Sequence, residues 1–150
     1  MGSRFRGTED EVRALSALIN LARAAELMAS HQSRNVADDG LTLSQFGVLE
    51  TLHHLGPLSQ KELSEKLLKT SGNMTMVVTN LEKRNLVSRE RRKDDRRCNR
   101  VGLTARGRRL IRRVMPAVVK SITADMSRLT QAEQGQLRRL CRKLGKQEES

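Results

Sequence analysis

The chain has 150 residues, of which 29 are Lys or Arg and 17 are Asp or Glu, so its formal net charge is +12. This length favours a single domain, and this charge favours a polyanionic partner, either nucleic acid or an acidic membrane surface. With two Phe, no Tyr and no Trp, the sequence lacks the aromatic side chains on which single-stranded nucleic acids stack, which argues against that class of binding module.

Missing motifs argue against several other classes of protein. No apolar stretch approaches the roughly 18 residues of a transmembrane helix, and no secretory signal is visible. The two cysteines, Cys98 and Cys141, are too few for a disulfide framework and lack zinc-finger spacing. No catalytic triad at motif spacing, phosphate-binding glycine loop or metal-ligand cluster is found. We therefore expect a cytoplasmic protein that is not an enzyme and uses no metal or cofactor.

The first predicted helix begins at Thr8 and continues to about Arg34. Thr8 is a suitable N-cap, and acidic residues follow it in the first turn, where they favour helix formation. Its apolar residues recur at helical spacing and are Val12, Leu15, Leu18, Ile19, Leu21 and Ala22. So wide an apolar face predicts burial against more than one surface.

Two shorter helices follow a loop at residues 38–40. Thr42 or Ser44 caps the second helix, which ends near Gly56. Ser59 and Glu62 form a capping box that opens the third helix. The predicted core positions are Phe46, Leu49 and Leu52 of the second helix and Leu63 and Leu67 of the third.

A break at residues 70–72 precedes a fourth helix that continues to about Arg84. Its apolar face carries Met74, Val77, Val78 and Leu81. Asn85 follows at the position where many helices adopt a left-handed backbone, which Asn tolerates.

The second half of the chain alternates strand and helix signals. Residues 86–90 and 99–103 are predicted strands around a charged turn, residues 91–97. Thr104 caps a long fifth helix, which reaches about Met126 and in which Pro116 predicts a kink.

A capping box at residues 130–133 opens the sixth and last helix. We expect Leu137, Leu140 and Leu144 to face inward, with Cys141 as a small core residue between them.

This order of elements is typical of a winged helix-turn-helix, a mainly α fold with a small two-stranded β-wing and here with flanking helices. In such a unit the second helix of the pair enters the DNA major groove. The fourth helix has a polar face that suits this position: Asn73, Thr75, Met76, Thr79, Asn80 and Lys83. A polar face by itself usually means only that a helix face is solvated.

The charged hairpin is a stronger indication of DNA binding. Residues 86–120 contain thirteen basic and three acidic residues, a net charge of +10. A charge run is often only a solvated segment, but strand-like and helix-like sequence flanks this one. Arg is also the residue favoured for insertion into a narrow minor groove.

These segments together resemble the MarR (multiple antibiotic resistance regulator) family. The sequence DRR at residues 95–97, followed by VGLTARG at 101–107, resembles the wing of the family. The sequence SGNMT at 71–75, with NLEKR at 80–84 and LVSR at 86–89, resembles its recognition helix and first wing strand. The resemblance extends from about Thr8 to Leu144. Asn85 replaces the usual Gly of the family, and both residues accept the same backbone conformation.

The resemblance implies a homodimeric, double-stranded DNA-binding regulator, here predicted to be a ligand-responsive repressor on a pseudo-palindromic operator. Residues 42–104 are then the DNA-binding lobe, and residues 8–34 and 105–144 the dimerisation helices. The major-groove residues would be Ser71, Asn73, Thr75, Met76, Thr79, Asn80 and Lys83. On the wing, Arg97 would enter the minor groove, Asp95 would orient it, and Arg91, Arg92, Lys93 and Arg96 would flank it.

The resemblance also implies a small organic or phenolic effector bound between the first, second and fifth helices. Candidate lining residues are Met28, His31, Phe46, Leu49, His53 and Met115, each of which is more often plain core or surface. Cys98 is a redox candidate because neighbouring arginines lower a thiol pKa, although an ordinary strand cysteine is the simpler interpretation.

Two other functions fit the composition. An architectural or weakly specific DNA-binding protein would use the +12 charge without an effector. A membrane-surface protein would use the basic fifth helix, which lacks the Trp and Phe anchors of interfacial helices; we therefore expect no membrane partner.

Overall fold

The computed structural model describes residues 4–91 and 99–145, with the side chain of Arg91 left out. This part of the chain forms six helices and one small, three-stranded antiparallel sheet. The elements in chain order are α1 (Glu9–Ala37), α2 (Leu43–Leu55), β1 (Leu58–Ser59), α3 (Gln60–Leu67), α4 (Ser71–Lys83), β2 (Val87–Arg91), β3 (Asn99–Leu103), α5 (Ala105–Met126) and α6 (Gln131–Leu144). The predicted fold class is confirmed.

Every helix begins at a Ser or Thr whose side chain accepts a backbone N–H of the first turn. The N-caps are Thr8, Thr42, Ser59, Thr70, Thr104 and Thr130. In α1, α2, α3 and α6 the bond is reciprocated, which forms a full capping box. In α3 the carboxylate of Glu62 accepts the amide of Ser59 at 2.8 Å, and this bond lowers the pKa of Glu62. Local hydrogen bonding therefore defines where each helix starts.

The sheet contains one strand that the sequence pattern did not predict. β2 and β3 form the expected hairpin, with Val87 opposite Leu103 and Arg91 opposite Asn99. β1 adds to the free edge of β3, where Leu58 lies opposite Val101. A two-residue strand is too short to show an alternating pattern, so only the tertiary contact reveals it.

The core lies inside the predicted DNA-binding lobe and against one face of α5. Leu49 of α2, Leu63 of α3, Leu81 of α4 and Ile111 of α5 are fully buried. The first turn of α5 packs tightly against Leu86, the residue before β2. A Cβ on Gly107 would overlap the carbonyl oxygen of Leu86. Glycine is therefore required where α5 joins the lobe.

Two turns use a left-handed backbone at a residue other than glycine. Asn85, at φ 57°, follows α4 as the sequence predicts. Leu68, at φ 51°, ends α3 and is 82% exposed, which the sequence did not predict. Leucine is an unusual residue for this conformation, since its Cβ approaches the following carbonyl.

The flanking helices are the part of the fold where the core predictions fail. In α1 only Val36 is buried, and α6 has no buried residue. Leu137 is half-buried, but Leu140 and Leu144 are 52% and 74% exposed, and Cys141 is exposed. Their predicted burial is wrong for the single chain because little of the described structure packs against α6.

The fifth helix runs unbroken through Pro116. The kink is predicted because proline lacks the amide N–H that would bond to the carbonyl four residues back. It stays a prediction.

Candidate nucleic-acid interface

The two faces of α4 have opposite environments. Met74, Val77, Val78 and Leu81 are buried against the rest of the lobe. The residues predicted to enter the major groove lie on the other side: Ser71, Asn73, Thr75, Met76, Asn80 and Lys83 are exposed, and Thr79 is half-buried. The helical spacing of the four apolar residues directs the polar ones outward. The structure thus brings together all seven predicted residues on one accessible helix.

A network of polar side chains crosses this exposed face. Gln60, the first residue of α3, donates its amide N–H to Thr75 Oγ1 at 2.5 Å. The guanidinium of Arg89 on β2 donates to Gln60 Oε1 at 3.2 Å and to Thr79 Oγ1 at 3.4 Å. Its Nε also donates to Glu82 at 3.4 Å. The network therefore links α3, α4 and the wing strand beside the predicted groove-facing residues.

Gln60 and Arg89 are residues of this face that the sequence analysis did not select. Arg89 was counted among the basic residues of the hairpin, but nothing in the sequence placed it against α4. Gln60 follows an N-cap, a position that carries no functional signal. Both lie beside Thr75 or Thr79 only because the strand and the two helices meet there.

The end of α4 is attached to the loop between α1 and α2. Arg84, the C-cap of α4, donates to the carbonyl oxygen of Gly40 at 2.7 Å and to that of Asp39 at 3.3 Å. The carboxylate of Asp39 also accepts a hydrogen bond from the guanidinium of Arg113 of α5 at 2.7 Å. α4 is therefore bonded at both ends: Thr70 caps its first turn, and Arg84 joins its last turn to this loop.

The wing is described only up to its base. Pairing of Glu90 with Arg100 and of Arg91 with Asn99 carries β2 and β3 away from the core. The predicted wing residues Arg92, Lys93, Asp95, Arg96 and Arg97, and the redox candidate Cys98, lie outside the described residues, as does the side chain of Arg91. Their roles stay predictions.

The candidate effector residues occupy different environments. Phe46 and Leu49 belong to the core, at 6% and 0% exposure. Met28, His31, His53 and Met115 are half-buried. His31 Nδ1 lies 2.9 Å from the carboxylate of Asp125, a contact that joins α1 to α5. His53 instead lines a cleft at the end of α2, with Glu90 and Arg108. The effector pocket stays a prediction.

Two kinds of feature are absent from the part of the chain that the structure describes. Among residues 4–91 and 99–145 no helix is long and apolar enough to cross a membrane. Within the same ranges no group of His, Cys, Asp or Glu is arranged to hold a metal ion.

Comparison with known proteins gives the family. The MarR family model matches residues 41–99. The HTH-type transcriptional regulator YkoM of Bacillus subtilis, itself uncharacterized, is 32% identical over 95% of this chain and 93% of its own length. Sco3205, a MarR family regulator from Streptomyces coelicolor solved in complex with DNA, superposes with a TM-score of 0.83 at 26% identity, covering 95% of this chain and 90% of that one.

A second solved relative carries a small molecule. The MarR family protein Rv2887 of Mycobacterium tuberculosis, in complex with salicylic acid, is 31% identical with a TM-score of 0.66, covering 83% of this chain and 93% of that one. Sequence, fold and the outward face of α4 therefore agree, and this chain belongs to the MarR family of DNA-binding winged-helix transcriptional regulators.

Proposed function

We propose that this regulator binds a pseudo-palindromic duplex as a homodimer, represses transcription from it and is released by a small organic effector. The observation that carries the proposal is the exposed polar face of α4, which stands opposite a fully buried apolar face. The DNA complex of the relative Sco3205 supports this use of the fold.

Base recognition falls to the amide side chains of this face. Asn73 and Asn80 are exposed, and an asparagine amide matches the paired donor and acceptor of adenine in the major groove. Lys83 reaches phosphate as a point charge, and Thr75 and Thr79 meet phosphate or a thymine methyl. Arg97 of the wing is proposed for the minor groove, where a narrow A·T tract attracts arginine.

Homodimerisation would cover the apolar residues that the single chain leaves exposed. Leu18 of α1 is 59% exposed, and Leu140 and Leu144 of α6 are exposed to a similar or greater extent. Large exposed apolar side chains at helical spacing are the pattern expected of helices that pack against a partner. Residues 8–34 and 105–144 are proposed as the dimerisation helices, and residues 42–104 as the lobe that reads one half-site. A two-fold dimer would place two such lobes about 34 Å apart along the duplex.

An effector would act by changing the distance between the two DNA-binding lobes of the dimer. A ligand that binds better to a dimer with a different lobe separation shifts the population away from the DNA-bound form. The salicylic acid complex of Rv2887 supports a small aromatic acid as the class of ligand to screen first. The proposed pocket lies where α1, α2 and α5 meet, near His31 and Met115.

The test separates specific recognition from attraction by charge. A duplex is first selected from random DNA with the full-length protein, and binding is then titrated against a scrambled duplex at several salt concentrations. We expect a preference of at least about 10³ for the selected duplex. Asn80→Ala should reduce that preference about tenfold or more, whereas Gln131→Ala, an exposed residue of α6, should leave it unchanged.

A different result would favour the architectural alternative. Equal binding to both duplexes, with a steep salt dependence and no effect of Asn80→Ala, would mean that the +12 charge alone provides the affinity. Arg97→Ala extends the test to the wing, where we expect weaker binding at A·T-rich flanks of the site.

A further inference from the structure

A cleft lined by four arginines lies between the end of α4, the α1–α2 loop and the first half of α5. Arg84 of α4 and Arg106, Arg109 and Arg113 of α5 line it, together with Asp39 of the α1–α2 loop. Its volume is about 560 Å³, within the range of small-molecule sites. Four guanidinium groups against one carboxylate leave a formal charge of +3 around one cavity.

The three arginines of α5 share one helix face because they are spaced by three and four residues. Like charges at these spacings repel each other, and the N-terminal end of a helix disfavours cations further. The first turn of α5 carries no acidic residue, and Arg106 lies in it. A bound anion would relieve this repulsion.

Half of the guanidinium groups have no partner within the described structure. Arg113 is paired with Asp39 at 2.7 Å, and Arg84 donates to the carbonyl oxygens of Asp39 and Gly40. Among residues 4–91 and 99–145, the side chains of Arg106 and Arg109 take part in no hydrogen bond or ion pair. The two bonded arginines fix one wall, and the two others leave their donors open to the cleft.

We propose that this cleft binds a compact oligophosphate through Arg106, Arg109 and Arg84. Guanidinium groups match phosphate oxygens with paired, charge-assisted hydrogen bonds. A ligand with a single carboxylate would neutralise only part of the +3 charge. The apolar lining residues, Leu86 and Leu110, are buried at 2% and 9% exposure, so an aromatic ring would find little apolar surface.

The position of the cleft gives such binding a route to the DNA-binding face. Arg84 is the C-cap of the recognition helix α4, and the α1–α2 loop that it holds begins at the end of the first flanking helix. An oligophosphate that accepts hydrogen bonds from the Arg84 guanidinium therefore contacts the end of α4, the helix proposed to read the major groove.

The test uses pyrophosphate as the probe and the full-length protein without DNA. Isothermal titration at constant ionic strength should show saturable binding of pyrophosphate to the wild type. Arg109→Gln and, separately, Arg106→Gln should each weaken it about tenfold or more, as the loss of a charge-assisted hydrogen bond implies. Arg108→Gln is the matched control, because Arg108 is an exposed arginine of the same helix that lines a different cleft; it should change binding less than twofold.

Two outcomes would overturn the proposal. One is the absence of saturable pyrophosphate binding to the wild type. The other is an equal loss in Arg108→Gln and Arg109→Gln, which would show general attraction to a basic helix. Circular dichroism of each variant confirms that the fold is intact.

A second arm distinguishes the source of the phosphate. If Arg109→Gln weakens duplex binding in the absence of pyrophosphate while Arg108→Gln does not, the cleft takes a phosphate of the DNA backbone. If Arg109→Gln weakens pyrophosphate binding but leaves duplex binding unchanged, the cleft takes a free oligophosphate. Pyrophosphate binding is measured without DNA, so failure of the proposed regulatory function would leave this test unaffected.

Discussion

The DNA-binding lobe and the flanking helices of this chain bury their apolar residues in different ways. In the lobe, α2 and α4 together place eight apolar residues in the core. In α1 and α6 only Val36 is buried, although both helices carry regularly spaced apolar residues. The core of the lobe forms within one chain, whereas α1 and α6 leave apolar residues exposed, which is the basis of the proposed dimer.

Truncation of a lobe core residue gives the largest expected effect. Leu63 of α3 is fully buried, so Leu63→Ala should lower the free energy of unfolding by about 2–5 kcal/mol. Urea denaturation followed by circular dichroism measures it. Leu55→Ala, at 56% exposure, should change stability by less than about 0.5 kcal/mol. Equal losses in the two variants would show that the core does not lie where the structure places it.

A negative charge introduced on α6 should weaken dimer association and leave the lobe folded. Leu140→Asp places a carboxylate in the proposed interface, and we expect the dissociation constant of the dimer to rise about a hundredfold, since burying an unpaired charge is costly. Sedimentation equilibrium measures it. Arg139→Gln removes the same unit of charge from the opposite side of α6 and should leave association unchanged. A monomeric wild type would contradict the interface directly.

The junction of the two regions depends on Gly107. Its Cβ would overlap the carbonyl oxygen of Leu86, so Gly107→Ala must displace α5 and should cost about 2 kcal/mol of stability. Gly135→Ala is the control, because nothing lies near a Cβ on Gly135; it should stabilise α6 by about 0.5–1 kcal/mol. Thermal melts of both variants suffice. A stable Gly107→Ala variant would show that α5 does not start against β2.

The smallest effect is expected in the turn between α3 and α4. Leu68 has a left-handed backbone and is 82% exposed, so Leu68→Gly should raise stability by about 1 kcal/mol. Asn85→Gly, at a similar backbone angle, should change it by only a few tenths, because Asn tolerates this conformation. Destabilisation by Leu68→Gly would mean that the exposed side chain makes a contact in the assembled protein.

Signals that act within a few residues were readable from the sequence. The Ser and Thr caps at Thr8, Ser59, Thr104 and Thr130, and the left-handed Asn85, are where the patterns predict them. The four apolar residues of α4 are buried as predicted, which also exposes the predicted DNA-facing residues. Each of these features depends on a hydrogen bond or a periodicity inside one helix or turn.

Contacts between distant segments were not readable in this way. The pairing of β1 with β3, the attachment of Arg89 to Gln60 and Thr79, and the four-arginine cleft each join residues far apart in the sequence. The exposure of Leu140 and Cys141 was misjudged for a related reason, because an apolar helical face shows that something covers it but not whether the cover belongs to the same chain.

The sequence by itself determined the helices, the caps of α1, α3, α5 and α6, the inward face of α4 and the basic character of the hairpin and fifth helix. The structure decided that Thr42 caps α2 and that α4 begins at Ser71, inside the predicted break at residues 70–72. It also decided which polar side chains meet on the proposed DNA-facing surface, which arginines share a cavity and which apolar faces remain uncovered. The reason is physical: caps and periodicity are local, whereas burial and charge clustering depend on which segments the chain brings together.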